Sequence, residues 1–391
     1  MTRLAIVATH PIQYYAPWFR HLAAEESLEV RVFYLWDFGV EEKHDRGFQR
    51  DVKWDVPLLD GYAHEFVENV SAEPGTHHFW GLRNPALYDR VARWRPDAVL
   101  LTAYNYASLV GFLLRWGSRT PVLFRGDSHR LVRRTGWRET LKRVPLRLLF
   151  RRFDAVLAVG RANRRYYRAH GVPSRRIFFS PHAVDNDRFF ASGDNARSEA
   201  RVWRRDLGIP EDHRVVLFAG KFEPKKRPLD LLAAFQRAGL SNASLLFAGS
   251  GPLEEELRRQ AARVSHVYFA PFQNQSAMPR VYAAASVFVL PSFGPHETWG
   301  LAVNEAMCLG VPPIVSTHVG CAADLVKHGT NGLVFEAGSV GALASALQSA
   351  LASDATLRSW NRRCRARVAR YSHRQATAGL LDALCFVETA R

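Results

Sequence analysis

The sequence predicts an α/β protein made of two doubly wound domains, each with a parallel sheet covered by helices on both faces. A chain of 391 residues is long enough for two domains of ordinary size. Short apolar runs alternate with helical patterns along the chain, and the two halves repeat this order. Continuous apolar runs, rather than alternating ones, are typical of strands that are buried on both faces.

Twelve apolar runs are predicted to be strands, six in each half. Ligand groups are expected beyond the carboxyl ends of such strands, and two facing domains enclose a cleft in which ligands usually bind. The predicted strands are Leu4–Ala8, Val30–Tyr34, Ala98–Thr102, Val122–Arg125, Ala155–Val159 and Ile177–Ser180 in the first half, and Val215–Ala219, Ser244–Ala248, His266–Ala270, Ser286–Leu290, Pro313–Ser316 and Gly332–Phe335 in the second.

The predicted domain boundaries follow from the same pattern. A first domain spans residues 1–190 and a second spans residues 200–370. The join lies near Asp185–Glu199, where the sequence becomes small and polar. The last segment, 371–391, contains a helix at roughly Gln375–Glu388.

The composition, 47% hydrophobic and 23% charged, is typical of a soluble globular protein. The sequence has no run of eighteen apolar residues, so a membrane-spanning helix is not expected, and residues 1–10 become polar too quickly for a signal peptide. The cysteines show no paired or metal-ligand spacing, which favours free thiols in a reducing cytoplasm. They are Cys308, Cys321, Cys364 and Cys385.

The formal net charge of +16 is concentrated in one region. Between Arg125 and Arg176 there are sixteen Lys or Arg residues and three acidic ones. Within this region Trp137, Leu141, Val144 and Leu148 recur at helical spacing with basic residues between them. One face could therefore lie on an anionic membrane surface. Alternatively, the apolar side packs inward and the arginines are solvated; nucleic-acid binding is not expected, because no recognised reading motif accompanies the charge.

The clearest chemical motif surrounds a predicted helix start at Gly300, directly after a buried strand and a short loop. Two glutamates, Glu297 and Glu305, flank this start with seven residues between them. A helix N-terminus offers unpaired N–H groups and the positive end of a dipole, which suit a phosphate. The carboxylates are expected to hold opposite ends of an extended ligand, whose phosphates lie between them. This pattern favours a site for a sugar nucleotide.

Two further motifs follow neighbouring strands of the second domain. Lys221 and Lys226 lie in a basic loop after its first strand, where cations are well placed to neutralise a departing diphosphate. Gly249 and Gly251 follow the next strand, and glycines there would let the backbone approach a ligand closely. A solvated basic loop and an ordinary tight turn are the alternative interpretations.

In these motifs the chain resembles the family 4 retaining glycosyltransferases of the GT-B fold, the glycosyl transferases group 1. The resemblance is strong from about Val215 to Phe335 and weaker before that. It implies two Rossmann-like domains facing across a cleft, with the last helix crossing back onto the first domain. The motifs, in the order of the family, are Lys221…Lys226, Gly249-Ser-Gly-Pro252, Glu297-Thr-Trp-Gly-Leu-Ala-Val-Asn-Glu305, Gly310-Val-Pro-Pro313 and Val319-Gly-Cys-Ala-Ala-Asp-Leu-Val326.

The resemblance also implies roles by position, with no cofactor other than the donor itself. No metal is implied, because lysines take that part; Asp185-Asn-Asp187 has the Asp-x-Asp form of metal-using transferases but lies in the interdomain segment. The implied roles are ribose binding for Glu305, diphosphate binding for Gly300 and Leu301 with the neighbouring Trp299, contact with sugar hydroxyls for Glu297, assistance to the leaving group for Lys221 and Lys226, contact with the base for Phe272, and close approach to the donor for Gly249 and Gly251.

The chain departs from the family pattern at three places. Lys221 replaces the usual arginine, which keeps the charge but loses the bidentate fork. The loop His10–Tyr15 replaces a common glycine pair after the first strand. The family often has a histidine near the sugar after the fourth strand; here Gly126 takes that place, and Asp127 is preferred over His129 as the first-domain site residue.

The leading hypothesis is a retaining, metal-independent transferase that moves a sugar from a nucleotide donor to the hydroxyl of a saccharide or lipid-linked acceptor, in the cytoplasm or on the inner face of the cell membrane. One alternative is a nucleotide-sugar hydrolase or epimerase that uses the same cleft. Another is a nonenzymatic basic module that docks on membrane or nucleic acid, although it would not explain the ordered motifs of the second domain. The donor base, the sugar, the acceptor and the oligomeric state do not follow from the sequence.

Overall fold

The structure of the protein, a computed structural model, describes residues 1–117, 120–132 and 137–389, without the side chains of residues 137–143. Helices and strands alternate along nearly the whole chain. They form two parallel sheets with helices packed on them, and the last helix returns to the first sheet.

The first sheet contains seven strands in the described part of the chain, in the order β5-β2-β1-β6-β7-β8-β9. All neighbouring pairs in this order are parallel. A short antiparallel hairpin, β3 and β4, stands apart from the sheet. The strands are β1 Thr2–Ala8, β2 Leu28–Tyr34, β3 Lys43–Asp45, β4 Arg50–Val52, β5 Ala63–Phe66, β6 Ala98–Leu101, β7 Val122–Gly126, β8 Ala155–Ala158 and β9 Ile177–Phe179.

The second sheet contains six strands over the described residues, in the order β12-β11-β10-β13-β14-β15, and all its pairs are parallel. The longest ladder joins β10 and β11, which run in register from Arg214 opposite Ala243 to Lys221 opposite Ser250. Their carboxyl ends therefore lie side by side. The strands are β10 Arg214–Lys221, β11 Ala243–Ser250, β12 Val267–Ala270, β13 Val287–Leu290, β14 Pro313–Ser316 and β15 Leu333–Phe335.

Helices connect the parallel strands, as the crossover between such strands requires. Short 3₁₀ turns occur at Phe79–Gly81, Ser174–Arg176 and Pro224–Lys226. The described α-helices are α1 Ala16–Ala23, α2 Leu87–Trp94, α3 Ala107–Trp116, α4 Trp137–Phe150, α5 Arg161–Ala169, α6 Asn186–Ala191, α7 Gly193–Asp206, α8 Pro228–Ala238, α9 Glu254–Ala261, α10 Met278–Ala283, α11 Leu301–Cys308, α12 Ala322–Leu325, α13 Val340–Leu351, α14 Asp354–Val368 and α15 His373–Thr389.

The predicted fold class is confirmed, and each of the twelve predicted strands is present within a residue or two of its predicted bounds. The sequence pattern misses β3, β4 and β5. Their side chains are mostly polar and only partly buried, so they lack the apolar run on which the prediction depends. The segment predicted as the join, Asp185–Glu199, is largely helical and contributes α6 and the first half of α7.

Each sheet has an apolar core on both faces. Leu4 and Ile6 of β1 face one cluster, while Ala5 and Val7 face the other, as the alternation of side chains along a strand requires. The second sheet divides in the same way, with Val216 on one face and Val215 on the other. Full burial of both faces explains why these strands are apolar throughout.

The last helix, α15, packs against α1, β8 and β9 of the first sheet. Trp18 Nε1 donates a hydrogen bond to Thr377 Oγ1 over 3.2 Å, and Ser180 Oγ donates one to the carbonyl of Ala376 over 2.8 Å. The predicted return of the last helix to the first domain is confirmed. The chain thus crosses between the domains twice, and Asn186 Nδ2 at the first crossing donates to the carbonyl of Tyr371 at the second.

Across the described ranges, every helix is too short or too polar to cross a lipid bilayer.

Candidate functional site

A cavity of about 480 Å³ lies between the domains, at the edge where the strands of the second sheet end. Loops after β10, β11 and β13 form one wall; residues after β1, β7 and β9 and the β3–β4 hairpin form the other. Two cavities of about 840 and 780 Å³ are larger. The first shares Tyr14, Gln275 and Glu305 with the 480 Å³ cavity, but neither is lined by the loops after β10, β11 or β13. Ten of the eleven predicted site residues line the 480 Å³ cavity, namely Asp127, Lys221, Lys226, Gly249, Phe272, Glu297, Trp299, Gly300, Leu301 and Glu305.

Lys226 and Glu297 form an ion pair inside this cavity. Lys226 Nζ lies 2.5 Å from Glu297 Oε2, which also accepts a hydrogen bond from Ser292 Oγ over 2.8 Å. Glu297 is buried, and it lies seven residues beyond the end of β13. The pair therefore places a cation and a carboxylate in contact with each other at the carboxyl ends of the strands of the second sheet.

Lys221 is the last residue of β10 and pairs with a carboxylate of the first domain. Its Nζ lies 2.8 and 3.0 Å from the two carboxylate oxygens of Asp45, the last residue of β3. Its ammonium also lies 4.7 Å from the ring centroid of Phe48. Neither first-domain partner was predicted from the sequence, because their hairpin lacks an apolar pattern.

The N-terminus of α11 opens into the same space. The helix begins at Leu301, directly after Gly300, and the N–H groups of a first helical turn lack intrahelical acceptors. Gly300 has a φ of +97°, and a Cβ at this position would lie 2.9 Å from the side chain of Leu290 and 3.0 Å from that of Val319. Glycine is therefore required for the loop to turn into this helix.

Glu305 is buried on α11, and its two carboxylate oxygens differ in their partners. Oε2 accepts a hydrogen bond from the Tyr282 hydroxyl over 2.7 Å, whereas Oε1 has no hydrogen-bond partner within the described residues. Burial raises the pKa of Glu305 to about 7, although Tyr282, Arg188 and Tyr14 act against this shift. An acceptor without a donor inside a cavity is chemically suited to a ligand hydroxyl.

Glu297 and Glu305 have different hydrogen-bond partners. Glu297 binds Lys226 and Ser292, and Glu305 binds Tyr282. The helix start at Gly300 and Leu301 lies between them along the chain. The arrangement offers one anion-binding segment with a carboxylate on either side.

The two glycines that follow β11 have different surroundings. Gly249 lines the cavity, with a φ of +146°, and a Cβ there would lie 2.0 Å from the carbonyl oxygen of Gly220. Gly251 lies outside the cavity lining, and a Cβ on it would meet the backbone of Phe222 at 2.8 Å and of Gly47 at 3.0 Å. Backbone atoms thus lie close to Gly251, and its predicted approach to a ligand stays a prediction.

Trp299 lines the cavity but is almost completely buried. Its Nε1 donates to Asn304 Oδ1 over 2.9 Å, and its ring lies 5.7 Å from the ring of His182. The indole thus packs across the domain boundary beside the helix start. The indole is held by Asn304 and lies against His182, and the predicted role of Trp299 beside the diphosphate stays a prediction.

Asp127, the residue predicted for the first-domain side of the site, lines the first-domain wall of the cavity. Its Oδ2 accepts a hydrogen bond from Thr298 Oγ1 over 2.7 Å and lies 3.6 Å from His182 Nε2. Burial opposes ionisation, but the His182 ring and the Thr298 hydroxyl outweigh it and lower the pKa of Asp127 to about 2. His129 lies outside the lining, although its Nε2 lies 3.1 Å from the backbone carbonyl oxygen of Glu297.

Several first-domain residues that line the cavity were not predicted from the sequence. His182 lies three residues beyond the end of β9, and a place after a strand end is the kind of signal that was used for the second domain. Tyr14, in the loop after β1, reaches the cavity next to Glu305, and no sequence pattern predicts that contact. Trp54 follows the hairpin and also lines the cavity.

The basic region differs from its prediction at Arg125, and two side chains of α4 distinguish its two interpretations. Arg125 is buried and donates to the carbonyls of Ser180 and Pro181, so it is not part of a basic surface. On α4, Val144 and Leu148 are 62% and 55% exposed. These two apolar side chains therefore do not pack inward, in contrast to the alternative interpretation. The side chains of Trp137 and Leu141 lie outside the described residues.

Comparisons with known proteins agree with this geometry. Residues 12–182 match the glycosyl transferase 4-like domain, and residues 199–367 match the glycosyl transferases group 1. A D-inositol 3-phosphate glycosyltransferase of Corynebacterium glutamicum is 32% identical over 195 residues, which are 47% of this chain and 45% of the relative. An uncharacterized glycosyltransferase of Methanocaldococcus jannaschii is 33% identical over 135 residues, 34% of each chain. The chain thus spans less than half the length of these two curated relatives.

A solved structure resembles the whole molecule. Anabaena Alr3699/HepE, in complex with UDP and glucose, superimposes with a TM-score of 0.73 at 17% identity, over 98% of this chain and 100% of that one. At this identity the likeness establishes the fold. This likeness agrees with the two facing parallel-sheet domains, the returning last helix and the family matches over most of both halves. The chain belongs to the glycosyl transferases group 1, with the GT-B fold.

Proposed function

We propose that the protein is a retaining glycosyltransferase that moves a sugar from a nucleotide-sugar donor to an acceptor hydroxyl. One observation carries this proposal: the α11 N-terminus, the cations Lys221 and Lys226, and the carboxylates of Glu297 and Glu305 line a single interdomain cavity. Such a set matches the charges of a nucleoside diphosphate and the hydroxyls of two sugars. Alr3699/HepE, of the same fold, binds UDP and glucose.

The donor would bind along this wall with its ribose next to Glu305. The unpartnered Oε1 of Glu305 would accept hydrogen bonds from ribose hydroxyls, which would also favour the ionised carboxylate. The N–H groups at the start of α11 would bind the diphosphate, and Phe272 would contact the base. Glu297, already paired with Lys226, would accept hydrogen bonds from the hydroxyls of the transferred sugar.

The charges on the cavity wall suit transfer with retained configuration. As the bond between the anomeric carbon and the diphosphate oxygen breaks, Lys221 and Lys226 would neutralise the charge that develops on the leaving group. The acceptor hydroxyl would attack from the same face and pass its proton to a diphosphate oxygen. Glu297 is engaged by Lys226 and Ser292, so it is not expected to act as a nucleophile. In this mechanism the lysines supply the positive charge, and a metal ion is not required.

Asp127 would orient a hydroxyl at the first-domain side of the cavity. With a pKa of about 2 it is ionised at neutral pH, so it accepts hydrogen bonds but has no proton to give. Its partners Thr298 and His182 fix the carboxylate across the domain boundary. This position fits an acceptor or sugar hydroxyl, and it does not fit a general acid.

The exposed part of α4 supports an acceptor at an anionic membrane surface on the cytoplasmic side. Val144 and Leu148 are exposed one turn apart, and the exposed side chains of Arg147, Arg151 and Arg152 lie beside them in sequence. Apolar side chains bordered by cations are typical of helices that lie in the interface of anionic lipids. A lipid-linked saccharide acceptor would be presented at that surface.

A thermal-shift screen against UDP-, GDP-, ADP- and dTDP-sugars tests the donor assignment first. A ligand that binds only the folded protein raises the melting temperature by mass action. We expect one nucleotide series to give a shift of several degrees, and we expect Glu305→Ala to reduce it. No shift with any of the four series would contradict the proposal.

Product analysis with the donor so identified then separates the enzyme classes. A transferase forms a glycoside only when an acceptor is present. Free sugar, or an isomerised donor, in the absence of an acceptor would instead indicate a hydrolase or an epimerase. Salt-sensitive binding to vesicles or nucleic acid without affinity for any sugar nucleotide would favour the nonenzymatic alternative.

A further inference from the structure

A segment of the first domain crosses the predicted donor site. This segment, residues 43–57, is called the strap here; it contains the hairpin β3–β4 and lies between β2 and β5 in the chain. Ser250 Oγ donates a hydrogen bond to the carbonyl of Phe48 over 2.9 Å, and Asn274 Nδ2 donates one to the carbonyl of Lys53 over 2.7 Å. The strap is therefore docked on loops that follow β11 and β12.

Aromatic contacts fix the strap at the same edge. The rings of Phe48 and Phe272 meet edge to face with centroids 4.7 Å apart, and Trp54 lies 6.3 Å from Phe272. The guanidinium of Arg50 stands 4.9 Å over the Phe272 ring. None of these contacts involves Lys221, so the strap has attachments that do not depend on that lysine.

Asp45 is the one strap carboxylate that is paired with a predicted diphosphate-binding cation. Both of its oxygens lie within 3.0 Å of Lys221 Nζ, and its side chain is only 12% exposed. Its Oδ1 also accepts the N–H groups of Gly47 and Phe48 over 2.8 and 3.0 Å. Burial would raise the pKa of Asp45, but Lys221 and these two N–H groups outweigh burial and lower it. The carboxylate is thus ionised and held in a fixed position by the turn.

We infer that Asp45 takes the place of a donor phosphate on Lys221, and that the diphosphate must displace this carboxylate to bind. A two-oxygen anion on an ammonium presents the same charge and the same acceptor atoms as a phosphate oxygen pair. Only the Asp45 side chain has to move away from Lys221. The rest of the strap stays docked, because Lys53 is held by its hydrogen bond and Phe48 packs against Phe272. The inference rests on the proposed function, since it takes the ligand of Lys221 to be the diphosphate of a sugar nucleotide.

Such an internal anion has two consequences for the site. It prevents Lys221 from being left uncompensated in a half-buried position when no donor is bound. It also makes every ligand that uses Lys221 compete with a carboxylate held at high local concentration, which weakens the apparent affinity for the donor. A nucleoside without phosphates does not reach Lys221 and does not enter this competition.

The test compares Asp45→Asn with Asp55→Asn by titration calorimetry. Asparagine keeps an oxygen that can accept the N–H groups of Gly47 and Phe48. It removes the negative charge that is paired with Lys221. Asp55 is the matched control, because it joins the strap to Ser276, with Oδ1 3.0 Å from the Ser276 N–H, and does not contact Lys221. The probes are inorganic pyrophosphate, the nucleoside diphosphate chosen by the thermal-shift screen, and its nucleoside.

We expect Asp45→Asn to tighten pyrophosphate and nucleoside diphosphate roughly three- to tenfold, as the loss of a partly buried competing ion pair predicts, and to leave the nucleoside unchanged. Lys221→Met should cancel that gain when it is combined with Asp45→Asn. An unchanged or weaker affinity for both diphosphates would overturn the inference, and so would an equal gain in Asp55→Asn. Absence of any nucleotide binding in the wild type would instead contradict the proposed function.

Discussion

Lys226 Nζ and Glu297 Oε2 lie 2.5 Å apart, so the cation that is proposed to face the leaving group is held by the carboxylate that is proposed to face the sugar. The pair spans two loops of the second domain, after β10 and after β13. Each residue positions the other, since neither is free to rotate without leaving a partner uncompensated. Substitution of either is therefore expected to disturb both ends of the reacting bond.

Lys226→Ala should lower kcat by about 10²- to 10³-fold, the usual cost of removing one group that stabilises charge in the transition state. Glu305→Ala should mainly weaken donor binding, because it removes the acceptor that we propose for the ribose hydroxyls. Steady-state kinetics at varied donor concentration separates the two effects. Lys327→Ala and Glu255→Ala, at exposed positions away from the cavity, are the matched controls. Near-normal turnover by Lys226→Ala would remove its assigned role.

Glu305→Gln should change how stability depends on pH. Burial raises the pKa of Glu305 from its ordinary 4.5 to about 7, so the folded protein binds the proton more tightly than the unfolded chain does. As pH rises from about 4.5 to 7, the wild type therefore loses roughly 3 kcal/mol of unfolding free energy from this group. Glutamine does not titrate, so the Glu305→Gln variant does not lose this unfolding free energy.

Urea unfolding at pH 5 and pH 8 measures this difference. The stability of Glu305→Gln relative to the wild type should increase between the two pH values, because every other group titrates alike in both proteins. Parallel pH profiles would show that Glu305 does not titrate in this range.

Gly300→Ala should destabilise the protein and displace the start of α11. Alanine in the left-handed region costs about 1–2 kcal/mol, and the close contacts of its Cβ with Leu290 and Val319 add about 1–3 kcal/mol. Gly294 is the matched control, since its φ of +96° is nearly the same but nothing lies within 4 Å of its Cβ position. Unfolding by urea should show a larger loss for Gly300→Ala than for Gly294→Ala; equal losses would mean that the helix start tolerates a side chain.

The double variant Val144→Asp/Leu148→Asp should lose affinity for vesicles that contain an anionic lipid. Both side chains are exposed on α4, so aspartate is tolerated by the fold but opposes insertion between anionic headgroups. Leu114→Asp/Val202→Asp is the matched control, with the same two residue types exposed on α3 and α7. Co-sedimentation with phosphatidylglycerol and phosphatidylcholine vesicles measures the effect. Equal binding by the two double variants would exclude α4 as the contact.

Much of the second domain was predictable because its chemistry follows directly from strand ends. Lys221 ends β10, Gly249 lies near the end of β11, and Glu297 follows β13, so one rule about parallel sheets brings them together. Gly300 was predictable as a helix start for the same reason. The pairing of Lys226 with Glu297 was not, because it depends on the path of two loops.

The first domain was less predictable because its half of the site comes from long-range packing. Asp45 and Phe48 belong to a short polar hairpin whose pattern does not differ from that of an irregular loop. Their partner Lys221 lies more than 170 residues away, and no local signal encodes that contact. Arg125 shows the opposite error: its sequence neighbourhood is basic, yet its own guanidinium is buried on backbone carbonyls.

The hydrogen bond from Asn186 Nδ2 to the Tyr371 carbonyl ties together the two places where the chain passes from one domain to the other. A rotation of one domain against the other about an axis through these two crossings would leave both of them intact. Such a rotation would widen the cleft most at the rim far from the crossings, where the hydrogen bonds from Ser250 and Asn274 to the strap would have to break. A fragment that ends before α15 would lack the second crossing between the domains. It would also lack the helix that packs on β8 and β9 of the first sheet.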